Sequence, residues 1–195
     1  MKKPIWIVFE GIDGSGKTTQ AKMLTDYLNR KGIKCLYKHV FETDAGEKIS
    51  KIFIENSFCN LVEILLLCAT RKAIWDEILT IEKEYDVIIL DRFFLSICSM
   101  QGEHVEELDL INTIKKIVCN DIRKIYTFYL NTNPVECKKR LERKKFMDRI
   151  EKKGVEFHTN VFMRYIDLLK NEENVISFDG ESDEKALNKE IVKKT

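Results

Sequence analysis

The chain contains a glycine-rich stretch, FEGIDGSGKTTQ at residues 9–20, between a short apolar run and a segment whose apolar residues recur at helical spacing. The stretch meets the G-x-x-x-x-G-K-[ST] spacing at every fixed position, with Gly11, Gly16, Lys17 and Thr18. In such a loop, glycines let the backbone bend until successive N–H groups face one anion, and the following helix adds the partial positive charge of its N-terminus. The lysine then reaches the β- and γ-phosphates of a nucleotide, and the hydroxyl ligates Mg²⁺. The sequence therefore predicts a nucleotide phosphate-binding loop where a strand meets a helix.

The rest of the chain alternates predicted strands with predicted helices. Apolar runs predict strands at residues 5–9, 33–40, 85–90, 124–130 and 174–178. Helical spacing predicts helices at residues 17–30, 45–56, 61–84, 108–120, 157–170 and 184–193, and Asn133-Pro134 marks the start of a further one. Short, almost wholly apolar strands are typical of a parallel sheet that is buried on both faces. We therefore expect one α/β domain over residues 1–195, with a three-layer α/β/α arrangement around a five-stranded parallel sheet.

The composition of the chain argues against several classes of protein, among them nucleic-acid-coating, disulfide-rich and membrane-spanning proteins. With 195 residues, of which 44% are hydrophobic, the chain is long enough to bury a core without disulfides. A net charge of +1 argues against a protein that coats nucleic acid, because such proteins carry a clear basic excess. The six cysteines form no C-x-x-C pair and have no histidine at ligand spacing, so we expect neither a zinc site nor a disulfide framework. No apolar run approaches the ~20 residues of a membrane span, and the N-terminus does not read as a signal peptide, so we expect a cytoplasmic protein.

Two charged features outside the glycine-rich loop bear on the chemistry. Asp91 and Arg92 follow the predicted strand at residues 85–90, and ligands of open α/β sheets bind beyond the carboxyl ends of the strands, so we expect this pair near the loop. The second feature is the segment at residues 138–153, KKRLERKKFMDRIEKK, which is rich in lysine and arginine. A run of this kind is usually a solvated helix face. An enzyme with a phosphate loop also needs cations near the transferred group and a way to exclude water, and we favour that role here.

Four stretches, taken in order, resemble the thymidylate kinases, a branch of the nucleoside monophosphate kinases. The first is FEGIDGSGKTTQAKML at residues 9–24, where that family has a phosphate loop with an acidic residue inside it. The second, LLLCATRKAI at residues 65–74, is similar to a helix segment that ends in an arginine meeting the thymine. The third, DRFFLSICSMQG at residues 91–102, resembles the family pattern DRY-x-x-S-x-x-AYQG, and the fourth, RLERKKFMDRIE at residues 140–151, resembles the arginine-bearing LID. The resemblance implies a P-loop NTPase fold with a short LID at about residues 142–153.

The resemblance also implies a role for each matching position. On the donor side it implies ATP binding by Gly11, Ile12, Asp13, Gly14, Ser15, Gly16, Lys17, Thr18 and Arg140, with the last against the adenine. On the acceptor side it implies contacts from Asp13, Glu42, Leu67, Arg71, Arg92, Ser96, Met100 and Gln101. Asp13 is implied near the sugar 3′-hydroxyl and Arg71 at the base edge, while Arg92 grips the acceptor phosphate with its planar fork. The implied Mg²⁺ ligands are Thr18 and Asp91, and the implied catalytic cations are Lys17, Arg92 and Arg149.

Phosphoryl transfer of this kind requires positioning and charge stabilisation rather than a strong base. We therefore expect the histidines at the surface, since none stands in a recognisable acid–base arrangement: His39, His104 and His158. Some thymidylate kinases carry a basic residue after the loop aspartate, where this chain has Gly14-Ser15. By the logic of that family, the catalytic arginine then comes from the LID, which gives weight to Arg149 and to its neighbours Arg143 and Lys144.

Three departures from the family pattern concern the acceptor. Leu67 stands where the family usually has a phenylalanine that stacks on the thymine. Met100 replaces the tyrosine that is linked to preference for the deoxy sugar. The loop after the second predicted strand, FETDAGE at residues 41–47, lacks the proline of the common EPGGT, and only Glu42 is carried over from it. These differences weigh on which acceptor is used rather than on the type of reaction.

The leading hypothesis is an ATP- and Mg²⁺-dependent kinase that converts dTMP to dTDP, in the biosynthesis of dTTP. The alternative within the same class is a related kinase with another acceptor, either a different nucleoside monophosphate or a deoxynucleoside. A third hypothesis is a regulatory ATP-binding subunit without an acceptor. It gives no role to Arg71, Arg92 or the basic segment. The resemblance further implies small-molecule substrates, no nucleic-acid or membrane partner, and a homodimer for which Ile64, Leu65 and the face at residues 110–117 are candidates.

Overall fold

The sheet of this protein has five parallel strands. A computed structural model describes residues 3–119 and 124–195. Its strands are β1 (Ile5–Glu10), β2 (Cys35–His39), β3 (Val87–Asp91), β4 (Ile125–Asn131) and β5 (Val175–Asp179). Each neighbouring pair runs parallel, in the order β2-β3-β1-β4-β5 across the sheet. The predicted five-stranded parallel sheet is confirmed.

Eight α-helices connect these strands within the described ranges. They are α1 (Lys17–Arg30), α2 (Asp44–Glu55), α3 (Asn60–Ile81), α4 (Phe94–Gln101), α5 (Val105–Val118), α6 (Pro134–Glu142), α7 (Val155–Leu169) and α8 (Glu184–Lys194), and a 3-10 turn, Glu82–Glu84, follows α3. The predicted helix at residues 61–84 is therefore α3 plus that turn. The predicted helix at residues 108–120 begins earlier, at Val105, and its predicted end at Asn120 lies outside the described residues.

Helix α4 was not predicted as an element, although the motif that contains it was singled out. Nearly all of its side chains are buried, including Phe94, Ser96 and Ile97, so it has no polar face that would create a helical period. A short helix that is buried all round gives the same apolar pattern as a strand, and periodicity cannot distinguish the two.

The side chains of β1 alternate between two hydrophobic cores, as the period of a strand requires. Trp6 and Val8 face a core that is completed by α3, α4 and α5. Ile7 and Phe9 face the opposite core, which is completed by α1 and α8. Because both faces of the strand are covered by helices, its sequence is apolar at successive positions. The protein has the three-layer α/β/α arrangement of P-loop NTPases, as the sequence predicted.

The register of the strands gathers polar side chains at one edge of the sheet. Asp91 of β3 lies beside Phe9 of β1 on one side and beside His39 of β2 on the other. Glu10 is the last residue of β1 and pairs with Tyr129 of β4. This carboxyl edge, where the strands lead into their loops, is the part of a parallel sheet that positions a ligand site.

The basic segment at residues 138–153 is divided between a helix and a loop. Asn133 caps α6 by accepting a hydrogen bond from the Val135 N–H at 2.9 Å, and Pro134 occupies the first turn. The helix ends at Glu142, and residues 143–153 form a series of turns before α7. We refer to residues 143–153 as the basic loop. Only the first part of the basic segment is therefore a helix face.

The histidines differ in their exposure. His104 is exposed, as expected. The expected surface position is wrong for His158, which is only 1% exposed on the inner face of α7. His39 is partly buried at the end of β2. No helix in the described ranges is long and apolar enough to cross a bilayer.

Candidate active site

The glycine-rich loop joins β1 to α1 in a conformation that requires glycine. Gly11, Gly14 and Gly16 adopt φ values of +143°, +84° and +96°. At Gly14 the available space is also limiting, because a Cβ there would lie 2.5 Å from the carbonyl oxygen of Cys137. Turns that alternate between right- and left-handed backbone form concave nests of N–H groups that bind anions. The loop therefore has the backbone of a phosphate-binding site.

Lys17 lies at the start of α1 and folds back over this loop. Its Nζ donates to the carbonyl oxygen of Ile12 at 2.7 Å and approaches the hydroxyl of Ser15 at 3.4 Å. Burial lowers the pKa of Lys17 to about 8, and the cation of Arg92 adds to that shift. A buried ammonium held this way favours an anion in the loop, because a phosphate supplies the charge that the site lacks.

Thr18 and Asp91 meet where the loop faces the end of β3. The Thr18 hydroxyl donates to Oδ2 of Asp91, and the Tyr37 hydroxyl donates to the same oxygen at 3.2 Å. Oδ1 of Asp91 is buried and has no hydrogen-bond partner among the described residues. A hydroxyl and a carboxylate with one uncommitted oxygen are the hard ligands that a divalent cation such as Mg²⁺ takes. The described residues contain no group of three or more His, Cys, Asp or Glu side chains that could hold a metal ion.

Arg92 occupies the centre of the site in a strained conformation. Its φ of +69° lies in the left-handed region, and its own N–H donates to the carbonyl oxygen of Phe9. Its guanidinium donates to the carbonyl oxygen of Gly11 at 3.1 Å and forms an ion pair with Asp13. Although burial alone raises the pKa of Asp13, Arg92 and then Lys17 outweigh it and hold that pKa below its ordinary value. Left-handed conformations of non-glycine residues are found mainly where function or packing imposes them, and here the backbone aims the arginine fork at the phosphate loop.

Arg71 lies deeper, on α3, with its guanidinium held on several sides. It donates to the Thr70 hydroxyl at 2.9 Å, to the carbonyl oxygen of Phe93 at 3.3 Å and to the Ser96 hydroxyl at 3.4 Å. Its Cζ lies 5.8 Å from the ring centroid of Phe41. Burial lowers the pKa of Arg71 to about 10, which leaves it a cation at neutral pH. The contacts fix its direction before any ligand binds.

One cavity of about 750 Å³ connects these groups. From the predicted donor site it is lined by Asp13, Gly14, Ser15, Gly16, Lys17, Thr18 and Arg140, and from the predicted acceptor site by Leu67, Arg71, Arg92, Ser96, Met100 and Gln101. Asp91 lines it between the two sets. Gly11 and Ile12 belong to the loop but are not among the residues that line the cavity, and Ile12 packs in a core with Tyr129 and Cys137. Glu42 is exposed outside the cavity and accepts a hydrogen bond from the backbone N–H of His39 at 3.0 Å.

Comparison with known proteins agrees with this geometry. The thymidylate kinase family model matches residues 9–191. A protein named thymidylate kinase from Fervidobacterium nodosum is 32% identical over 194 residues, which cover 97% of both chains. Another of that name, from Caldanaerobacter subterraneus subsp. tengcongensis, is 34% identical over 194 residues, covering 96% of this chain and 93% of its own. This chain belongs to the thymidylate kinase family.

Two cations of the basic loop line the cavity, and Arg149 is not one of them. Nη2 of Arg149 donates to the carboxylate of Glu63 at 2.8 Å and to the carbonyl oxygen of Phe53 at 3.0 Å. Its guanidinium lies 5.0 Å from the Phe53 ring centroid. The side chain that was expected at the transferring phosphoryl thus contacts α2 and α3. Arg143 and Lys144 of the basic loop line the cavity instead.

Arg140, the predicted adenine contact, lies at the other end of the cavity. Its Nη1 donates to the carbonyl oxygen of Gly180 at 3.0 Å, and its Nε pairs with Glu136 at 3.1 Å. Ser182 and Leu187 line the cavity beside it. The guanidinium is therefore held against the turn after β5, with its plane fixed by two partners.

Sequence reasoning missed Glu10 and Tyr165, which support the site from behind. The fully buried carboxylate of Glu10 accepts hydrogen bonds from the Phe93 N–H at 2.7 Å and from the Tyr165 hydroxyl at 2.8 Å. Burial raises the pKa of Glu10 above its ordinary value. The sequence signal that could have identified Glu10 is its position as the single carboxylate at the end of the apolar run of residues 5–9. Both partners fix the turn that carries Arg92, and Tyr165 also lies 3.5 Å from the Arg92 guanidinium.

Proposed function

We propose that this protein transfers the γ-phosphoryl group of ATP to dTMP, giving ADP and dTDP, and so acts in the biosynthesis of dTTP. The observation that carries the proposal is the single cavity that joins a phosphate loop to two buried arginines, Arg71 and Arg92. A protein that only bound or hydrolysed ATP would not need this second cationic site, because the phosphate loop and Lys17 already provide the binding groups for the phosphates of ATP. The names of the family relatives specify thymidylate as the acceptor.

On the donor side, the loop amides and Lys17 bind the β- and γ-phosphates, and Arg140 lies against the adenine. Thr18 and Asp91 would hold Mg²⁺. When bound, Mg²⁺ neutralises part of the charge that builds up on the phosphate oxygens. The buried, uncommitted Oδ1 of Asp91 supports this assignment.

On the acceptor side, Arg92 binds the 5′-phosphate and Asp13 lies near the sugar 3′-hydroxyl. Their ion pair fixes both groups in the ligand-free protein, so little side-chain order has to be created when the acceptor binds. Arg71 donates to the base edge. Gln101 adds a polar group, because its buried Oε1 has no partner among the described residues and its side chain lines the cavity. Ser96, Leu67 and Met100 complete the wall.

The basic loop supplies the remaining cations, and we propose that it acts as the LID. Arg143 already lines the cavity, and Arg149 reaches the transferring phosphoryl after it leaves Glu63. Two anions have to be brought together in line, and cations from two sides offset their repulsion. Closure of the loop also excludes water, which would otherwise accept the phosphoryl group.

The experiment that tests the function measures ADP release from ATP·Mg²⁺ with each of dTMP, dUMP, UMP, CMP, AMP and GMP, with thymidine as a control. We expect the highest kcat/KM for dTMP and no turnover of thymidine, since a nucleoside leaves Arg92 without its phosphate. A preference for a purine monophosphate contradicts the proposal. An ADP-release rate that no monophosphate changes would support the regulatory alternative instead.

We also propose a homodimer, a single domain over residues 1–195 and a cytoplasmic location, in keeping with soluble nucleotide substrates. Exposed apolar side chains on α2 and α3 support the dimer, with Ile52, Leu61 and Leu65 each about half exposed. Ile64, which the sequence suggested for the interface, is fully buried in the core. Light scattering after size exclusion tests the dimer, and Leu65→Glu should shift the wild-type mass to that of one chain.

A further inference from the structure

The aromatic rings that line the cavity differ in what already covers them. They belong to His39, Phe41 and Phe53. The Phe53 ring is buried in the core and covered by the Arg149 guanidinium. Phe41 is only partly buried, in the loop between β2 and α2, and it packs against the same core from the cavity side. Each ring has an arginine guanidinium near it, Arg71 in the case of Phe41, but Phe41 is the more exposed of the two phenylalanines and presents more ring surface to a ligand.

Phe41 stands beside the arginine that is assigned to the base. The Cζ of Arg71 lies 5.8 Å from the Phe41 ring centroid, which is within the range of a cation–π contact. Leu67 of α3 and Met100 of α4 add non-aromatic apolar side chains to the lining of the same cavity. A flat, polar-edged ligand is matched by one aromatic face with hydrogen-bond donors at its edge.

The loop that carries Phe41 is held in place before any ligand binds. The Phe41 N–H donates to Nδ1 of His39 at 3.4 Å, and the two rings lie 5.3 Å apart at 55°. The Glu42 N–H donates to the carbonyl oxygen of His39 at 2.9 Å, which closes the turn. Thr43 caps α2 by accepting from the Gly46 N–H at 2.8 Å. A ring fixed in this way loses little conformational entropy when a ligand stacks on it.

His39 holds the ring through a hydrogen bond to its Nδ1. Its Nδ1 accepts a hydrogen bond, which places the proton of the neutral imidazole on Nε2. A protonated Nδ1 could not accept the Phe41 N–H, so the neutral form is the one that supports the loop.

We propose that Phe41 is the aromatic face on which the base of the acceptor nucleotide packs, and that His39 is a positioning residue that holds this ring. The inference rests on the proposed function, whose acceptor it describes in more detail. Phe41 thereby supplies from the β2–α2 loop the aromatic surface that α3 lacks at Leu67. The recognised group is a planar nucleobase, and the sugar and phosphate lie outside the reach of this contact.

The test compares two variants at position 41. Phe41→Leu removes the aromatic ring and keeps an apolar side chain, whereas Phe41→Tyr keeps the ring. We expect Phe41→Leu to raise KM for dTMP about fivefold while KM for ATP stays within about twofold, and Phe41→Tyr to leave both unchanged. An unchanged KM for dTMP in Phe41→Leu overturns the proposal, as does an equal rise in both variants. Competitive inhibition by 2-deoxyribose 5-phosphate, which has no base, should be the same for Phe41→Leu and wild type. An inhibition constant that rises as much as KM would place the ring away from the base.

The role of His39 is tested by a double-mutant cycle. We expect His39→Ala to raise KM for dTMP, and His39→Ala/Phe41→Leu to be no worse than Phe41→Leu alone, because the histidine acts through the ring. Fully multiplicative effects would show that His39 acts independently and overturn its positioning role. Calorimetric binding of dTMP to the same variants separates this proposal from the proposed function. If wild type binds dTMP in a Phe41-dependent manner but transfers nothing to it, the function fails and the inference stands, whereas Phe41-independent binding overturns the inference alone.

Discussion

Nη2 of Arg149 lies 2.8 Å from Oε1 of Glu63, so the basic loop is tied to α3 by a largely buried ion pair. Glu63 is 8% exposed and Arg149 also donates to the Phe53 carbonyl, which anchors one end of the loop beside the acceptor side of the cavity. Arg143 lies at the other end of the same loop and lines the cavity, and the described residues offer it no ion-pair partner. One arginine therefore holds the loop to the body of the protein while the other faces the cavity.

These positions predict different effects for two alanine substitutions. Arg149→Ala should lower the free energy of unfolding by about 1–3 kcal/mol, because Glu63 is left buried without its partner. It should also lower kcat, because we propose that Arg149 leaves Glu63 and reaches the transferring phosphoryl when the loop closes. Arg143→Ala should lower kcat about a hundredfold at unchanged stability, as expected for a contact made mainly in the transition state. Urea unfolding and steady-state kinetics on the two variants check this, and equal stability losses would contradict the distinction.

Lys17 supplies a prediction about pH. Its pKa of about 8 in the folded protein lies below the ordinary value of 10.5, so between these pH values the unfolded chain binds a proton that the folded chain has lost. The contribution of this group to stability therefore rises with pH across that window, and below pH 8 the buried ammonium costs about 3 kcal/mol. Lys17→Met should unfold at higher urea than wild type at pH 7 without ligand, and the difference should shrink by pH 10. A methionine variant that is less stable at pH 7 would contradict this, and loss of ATP turnover serves as the control for function.

The elements that could be predicted from the sequence are those whose signal is local. The phosphate loop is a contiguous spacing, and the strands are apolar runs bounded by polar residues, so β1, β3 and β4 were placed to within a residue or two. The three layers follow from alternating strands and helices. Helix α4 was missed because complete burial removes the period on which such predictions depend.

The contacts that could not be predicted join residues far apart in the chain. Arg149 and Glu63 are 86 positions apart, and Tyr165 and Glu10 are 155 apart. Which carboxylate an arginine meets depends on how the helices pack, and the sequence pattern of a basic segment carries no such information. His158 shows the same limit, because a histidine on a helix reads as polar whether it faces water or the core. The sequence identified acceptor-site residues only at positions that match a motif of the family. Phe41 matches no such motif, so the sequence did not assign it to the site.

The contacts of Arg92 predict that a substitution there weakens the binding of dTMP and leaves the binding of ATP nearly unchanged. Arg92→Lys keeps the charge and the side-chain length but replaces a planar fork, which contacts Gly11 and Asp13 together, by a single ammonium. We expect KM for dTMP to rise about tenfold while KM for ATP changes little, because the phosphate loop and Lys17 are intact. Lysine is preferred to alanine here since it retains the positive charge beside Asp13. Steady-state kinetics with each substrate varied in turn provides the measurement, and an equal rise in both KM values would contradict the assignment of Arg92 to the acceptor.

The two hydrogen bonds to Asp91 predict how a substitution there changes the Mg²⁺ requirement of the reaction. Thr18 and Tyr37 both donate to Oδ2, which leaves Oδ1 for Mg²⁺ or its water. In Asp91→Asn, the oxygen is held by those two donors and the amide N–H₂ faces the cation, so binding is opposed rather than merely weakened. For Asp91→Asn we expect the Mg²⁺ concentration for half-maximal rate to rise about tenfold and kcat to fall. The control variant Tyr37→Phe removes one donor and keeps the carboxylate. It should change the Mg²⁺ requirement less than about twofold. Titration of Mg²⁺ at fixed ATP and dTMP measures both, and an unaltered requirement in Asp91→Asn would remove Asp91 from the metal site.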